Sequence, residues 1–186
     1  RTTSSVSVMA QRAGRVPERL RWAVGLIAPE PDDQMLEIGC GNGVAAGLVA
    51  ERLEGGHVTA IDRSLVAVER ARSRNREHLE SGRASFHHAD LAALEHADGT
   101  ITKAFAVNVN LFWTTDATVE CLVLARALAP GGRLWLVYEV PGDKSRNVAE
   151  TAAGTLRTHG WEADTITGPI DALTAVIGRP PRATAP

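Results

Sequence analysis

Leu36-Glu37-Ile38-Gly39-Cys40-Gly41-Asn42-Gly43 is the stretch on which the reading of this chain turns. Met35, Leu36 and Ile38 are apolar, and Val44, Ala45, Leu48 and Val49 then recur at helical spacing, so a buried strand, a glycine turn and the start of a helix are expected. Glycine lets the backbone take positive φ and lets a ligand approach without meeting a Cβ. The first N–H groups of the helix lack partners within it and face that ligand. The corner is thus expected to bind something.

Two ligand classes use such corners. Gly41-x-Gly43-x-x-Ala46 fits the dinucleotide fingerprint, while Glu37 through Gly39 and Gly41 to Gly43 fits acidic-x-Gly-x-Gly-x-Gly. His57-Val-Thr-Ala-Ile-Asp62 then predicts a second strand ending in a carboxylate about 20 residues past the turn, placed in either class to accept hydrogen bonds from ribose hydroxyls.

Strand and helix patterns continue in alternation. Strands are expected at 34–38, 57–61, 84–88, 103–107 and 133–140, with helices at about 44–54, 64–80, 116–128 and 145–159 and a short helical turn at 91–95. Such alternation gives a parallel sheet with helices on both faces, because strand, helix, strand crossovers are right-handed. Between the last two apolar runs, 161–167 and 172–177, stand only Gly168, Pro169, Ile170 and Asp171. That is enough for a hairpin and too short for a crossover helix, so the last strand should run antiparallel.

With Ala-Ile-Asp62, Ala-Asp90-Leu91, Asn108 after the fourth strand and Leu-Ala-Pro-Gly-Gly before the fifth, the order of motifs resembles the class I S-adenosylmethionine-dependent methyltransferases over roughly residues 15 to 180. The resemblance implies a doubly wound Rossmann-like α/β sheet of seven strands, mostly parallel, with an antiparallel last strand. It implies S-adenosyl-L-methionine as cofactor, with Gly39, Cys40 and Gly41 facing its methionine part and Glu37 below them orienting the amino group. Asp62 is expected on the ribose hydroxyls, and Arg63 where a side chain stacks on adenine. Asp90 would accept from the adenine amino group, Leu91 supply a backbone N–H, and Asn108 sit beside the methionine moiety and the transferred methyl.

Composition sets the outer bounds. At 186 residues, with 44% hydrophobic and 23% charged residues, the chain matches one globular domain. The expected division is a flexible segment 1–14, a single domain 15–180 whose helix at about 16–28 is a lid candidate, and a tail 181–186. No apolar run approaches the ~20 residues of a membrane span, which makes a cytoplasmic protein the default. A net charge of −2 gives no drive toward nucleic acid. Two cysteines, Cys40 and Cys121, lack the spacing of a zinc site or a disulfide framework, and no metal is expected.

The acceptor side carries fewer signals. Asn108-Val-Asn110-Leu-Phe112-Trp113 occupies the segment that borders the methyl group in this family, so Asn110, Phe112 and Trp113, with Trp22 from the first helix, are candidates for the acceptor pocket. Tyr138, Glu139 and His88 are candidates for a general base. The short run Pro141-Gly142-Asp143-Lys144 after the fifth strand carries no insertion that could roof the site. The first 30 residues, another subunit of a homo-oligomer or a bulky acceptor must then cover it. The leading expectation is methyl transfer to an oxygen, nitrogen or carbon nucleophile of a small or medium-sized metabolite. The alternatives are a non-catalytic scaffold or regulatory subunit of the same fold, and an NAD(P)-dependent oxidoreductase, which leaves Asp90 and the final hairpin unexplained.

Overall fold

The computed structural model describes residues 16–141 and 144–181. The expectations for segment 1–14, for Gly142 and Asp143, and for 182–186 of the tail lie outside the described residues. In chain order the elements are α1 (Glu18–Ile27), β1 (Gln34–Ile38), α2 (Val44–Ala50), β2 (His57–Asp62), α3 (Leu65–Arg74), α4 (Arg76–Glu80) and β3 (Ala84–His88). After a 3-10 turn (Leu91–Ala93) come β4 (Ile101–Val107), α5 (Leu111–Thr114), α6 (Thr118–Ala127), β5 (Leu128–Glu139), α7 (Lys144–Thr158), β6 (Glu162–Thr167) and β7 (Leu173–Arg179).

The seven strands form one sheet in the order β3-β2-β1-β4-β5-β7-β6. The first five are parallel neighbours, whereas β7 pairs antiparallel with both β5 and β6. The expected hairpin does form, with five residues, 168–172, between β6 and β7 because β7 starts one residue later than the apolar run implied. Strand order reverses between β1 and β4, the point where doubly wound sheets open a crevice at their carboxyl ends.

β1 is buried on both faces, as a central strand must be. Leu36, Ile38, Ala106, Leu136 and Tyr138 pack with Cys121 and Leu124 of α6 and Ala149 and Leu156 of α7. Met35, Phe105, Trp135 and Val137 pack on the other face with Val24 and Ile27 of α1, Val49 of α2 and Val68 of α3. Each large apolar side chain so buried contributes roughly 1.5–3 kcal/mol.

Two contacts fix the direction of α1. Near its start Arg19 Nη1 lies 2.9 Å from Glu139 Oε2 at the carboxyl end of β5, and beyond its end the Ala28 carbonyl accepts from Lys103 Nζ at 2.8 Å near the amino end of β4. The helix therefore runs against the strands, and its first turn stands at the rim where the crevice opens.

Three local expectations are corrected. The helix expected over 64–80 breaks into α3 and α4 at Asn75, whose φ of −107° and ψ of 31° leave the helical region. A helical turn, α5, forms in a stretch to which the sequence pattern assigned neither strand nor helix, with Trp113 N and Thr114 N both donating to Asn110 O. The fifth strand starts at Leu128, earlier than the sequence implies. Its register jumps from Ile101↔Leu128 to Lys103↔Arg133, so Pro130, Gly131 and Gly132 bulge out of the ladder. Among the described residues no helix is long and apolar enough to cross a membrane.

Candidate functional site

The glycine corner is built almost wholly from backbone. Gly39, Gly41 and Gly43 all have positive φ, at 70°, 52° and 69°. Gly39 N and Cys40 N both donate to Ile61 O, at 2.8 and 3.0 Å, and Gly43 N closes the turn onto Cys40 O at 2.8 Å. A side chain at Gly39 would strike Val109, whereas a Cβ at Gly41 would meet nothing within 4 Å. The space in front of Gly41 is thus open and free of side chains.

Asp62 ends β2 beside this turn. Its Oδ2 accepts from Gly41 N at 2.8 Å and its Oδ1 from Ser64 N at 2.8 Å, while Ser64 Oγ caps α3 through Ala67 N. Asp62 and the turn are one hydrogen-bonded unit. Ser64 and Val109 were not picked out in the sequence; the Asp-x-Ser string before an apolar helix was the available signal for Ser64.

Glu37 is 3% exposed and lies under the turn. Burial, reinforced by the charge of Asp62 and opposed by a hydrogen bond from Ala46 N, pushes its carboxyl up to about 8. Among the described residues its Oε2 has no hydrogen-bond partner. Such an orphaned buried acceptor is costly, and a cation or donor arriving in the crevice would relieve it. Cys40 is also buried, and burial, followed by the charges of Glu37 and Asp62, pushes its thiol up to about 12. It packs as a neutral thiol.

Asp90 is exposed, and its Oδ1 accepts from Ala92 N at 3.1 Å, capping the 3-10 turn. The side chain of Leu91 is in the core. Arg63 is exposed, and its carbonyl accepts from His88 Nε2 at 3.0 Å. Asn108 takes φ 56°, a conformation Asn tolerates better than most residues, and its Oδ1 accepts from Glu139 N at 2.7 Å. Its side chain thus ties the end of β4 to the end of β5.

The acceptor-side candidates separate. Phe112 is fully buried between the sheet, α6 and α7, so it is a core residue and lines no pocket, because the helical turn of α5 rotates it inward. Trp113, next to it, is 38% exposed at the carboxyl rim, and Asn110 is exposed at the head of the same turn. Trp22 is half-buried and reaches Gly168 of the β6–β7 hairpin, which also stands at that rim. Phe112→Leu should therefore lower stability by about 1–2 kcal/mol in urea unfolding and leave ligand affinity unchanged. Trp113→Ala strips a side chain that is still mostly covered and should cost about 1–2 kcal/mol in the same unfolding.

Among the general-base candidates, Tyr138 is excluded as a proton acceptor near neutral pH. It is buried, its hydroxyl is unpartnered among the described residues, and burial raises the phenol further above its ordinary value. His88 is exposed on the edge strand, three strand spacings or about 14 Å from β4. Glu139 alone stays at the rim, paired with Arg19.

Known proteins supply an independent comparison. The family described as a methyltransferase domain matches residues 35–132. The trans-aconitate 2-methyltransferase of Paracidovorax citrulli is 33% identical over 143 residues, 73% of this chain and 52% of that protein. This chain thus spans about half the length of that curated relative. A methyltransferase structure from Aquifex aeolicus shares the fold with a TM-score of 0.74 at 14% identity, over 95% of this chain and 98% of the other. The structure of the [4+2]-cyclase SpnF aligns at a TM-score of 0.64 and 25% identity, over 79% of this chain and 57% of that one. With the family match covering over half its length, across the glycine corner and the strands beside it, the chain belongs to the class I S-adenosylmethionine-dependent methyltransferases.

Proposed function

We propose that the protein transfers a methyl group from S-adenosylmethionine to an oxygen, nitrogen or carbon nucleophile of a small or medium-sized metabolite. One observation carries the reading: the open space at Gly41, the Asp62 carboxylate bonded to that same turn, and the buried Glu37 oxygen, without a partner among the described residues, converge on one crevice. A ligand that offers hydroxyls to Asp62 and an ammonium to Glu37 fits this donor and acceptor set. Fold likeness alone would not do, since a cyclase shares the architecture.

When bound, the cofactor supplies a methyl group already activated on a sulfonium. The chain's own residues then bind and orient. Asp62 holds the ribose hydroxyls, Asp90 and the Leu91 N–H the adenine edge, and Arg63 covers the adenine face. Glu37 holds the amino group below Gly39, Cys40 and Gly41. Asn108 fixes the β4 and β5 ends against each other, which sets the distance from the cofactor crevice to the acceptor rim.

The acceptor would lie along the rim between Asn110, Trp113, Trp22 and the Arg19–Glu139 pair. Glu139 is the residue best placed to take a proton where the nucleophile carries one. A relative that by its name acts on trans-aconitate supports a small acceptor. Residues 15 to 180 act as one domain in this reading, with the first turn of α1, tied to the rim by the Arg19–Glu139 pair, as the cover of the site and its later turns, through Ala23, Val24 and Ile27, anchored in the core.

Calorimetric titration with S-adenosylhomocysteine, with NADH as control, tests the proposal. Binding of the first with micromolar affinity and silence toward NADH is the expected result; a parent protein that ignores S-adenosylhomocysteine ends it. Methyl transfer to a panel of hydroxylated, amino and carboxylic metabolites, read by mass, then identifies the acceptor.

A further inference from the structure

The break between α3 and α4 lies against the cofactor corner. Asn75, at that break, is 4% exposed. Its Nδ2 donates to Gly43 O at 2.9 Å and to Ala71 O at 2.8 Å, so two carbonyls fix the orientation of the amide. The same side chain explains two glycines. A Cβ at Gly43 would come within 2.6 Å of Asn75 Nδ2, and one at Gly47 within 2.5 Å of Asn75 Oδ1.

These contacts close a ring. Gly43 N is bonded to Cys40 O, Gly41 N to Asp62 Oδ2, and Ser64 N to Asp62 Oδ1; Ser64 caps α3, and α3 ends at Asn75, which returns to Gly43. The helix grips the corner at both ends, through Asp62 and Ser64 at its start and through Asn75 at its finish. Gly41 and Asp62, the groups that face the ligand, are held at a spacing this ring sets.

We propose that Asn75 is a positioning residue for cofactor binding, which clamps the far end of α3 to Gly43 and so fixes the glycine turn relative to Asp62. The assignment rests on the methyl-transfer reading. Asn75 touches no ligand in this scheme; it acts through Gly43. Its loss should therefore weaken the cofactor without touching the acceptor rim, which is built from α5, the end of β5 and α1.

The test uses Asn75→Leu, which keeps the bulk and removes the donor, and Asn75→Asp, which keeps the shape and presents a carboxylate to two carbonyls. Arg74→Ala, one residue earlier and exposed, is the control. Calorimetry with S-adenosylhomocysteine is run beside amide hydrogen exchange of Gly41 and Gly43 in the ligand-free proteins. The expected result is a Kd raised at least tenfold in both Asn75 variants, faster exchange at Gly41, and no change in Arg74→Ala. Once an acceptor is in hand, the cofactor KM should rise while kcat at saturating cofactor stays within twofold. If a folded Asn75 variant binds as tightly as the parent, the assignment falls and the methyl-transfer reading stands. If Asn75→Leu fails to fold, Asn75→Asp decides by the same two measurements. A parent that does not bind overturns both.

Discussion

Asp62→Ala should lose S-adenosylhomocysteine binding by more than about 100-fold, beyond reach of an ordinary calorimetric titration. In the proposed binding mode two hydroxyl-to-carboxylate hydrogen bonds, at about 1.5–3 kcal/mol each, would disappear together. A second loss compounds the first. The same carboxylate accepts from Gly41 N and Ser64 N in the ligand-free protein, so removing it frees the glycine turn and uncaps the approach to α3. The structural part of the loss should appear separately, as about 1–2 kcal/mol in urea unfolding without ligand. Asp62→Asn sorts the two. Its amide oxygen can still accept from one of the two N–H groups, so stability should recover more than affinity. Equal recovery of both would mean that Asp62 only braces the turn.

The sheet was legible because its signals are local and repeated. Apolar strands ending at Ile38, Asp62, His88 and Val107 each recur before a turn, and the gap of four residues at 168–171 leaves no length for a crossover. The corner was legible for the same reason, since glycine spacing and a carboxylate after the next strand sit on short stretches of chain. What escaped was set by contacts between distant segments. Asn75 reads as one more polar residue in an arginine-rich helix until its amide is seen on Gly43, 32 positions away. Phe112 and Trp113 are adjacent aromatics, and only the helical turn of α5 decides that one enters the core and the other faces the rim. Arg19 and Glu139 lie 120 positions apart and meet because α1 runs against β5. Tyr138 looked available because it closes a strand at the crevice, yet alternation along β5 sends it into the apolar layer with Leu136.

Glu37 gives the other large effect, and it appears as a pH dependence. With the folded carboxyl raised from 4.5 to about 8, the folded state keeps a proton that the unfolded state has released throughout that window. Stability should then be greatest below pH 4.5 so far as this group is concerned. It should fall by up to about 1.4 kcal/mol per pH unit as pH rises toward 8, and level off above. Glu37→Gln carries no such proton, so it should gain on the parent steadily between pH 5 and 8 in urea unfolding. Ligand binding runs the other way. An ammonium beside Glu37 favours the ionised carboxylate, so below pH 8 the parent must release a proton to bind well. Its affinity for S-adenosylhomocysteine should rise with pH between about 6 and 8, and binding enthalpies at pH 7 should depend on the ionisation heat of the buffer. Glu37→Gln should lose both dependences and bind about 30-fold more weakly at pH 8, the equivalent of about 2 kcal/mol for one charge-assisted hydrogen bond. A variant more stable than the parent at pH 8 yet poorer at binding would show that burying this carboxylate is a cost of holding the cofactor. If Glu37→Gln binds like the parent and the enthalpies ignore the buffer, Glu37 has no part in the ligand site, and its burial is a matter of the strand alone.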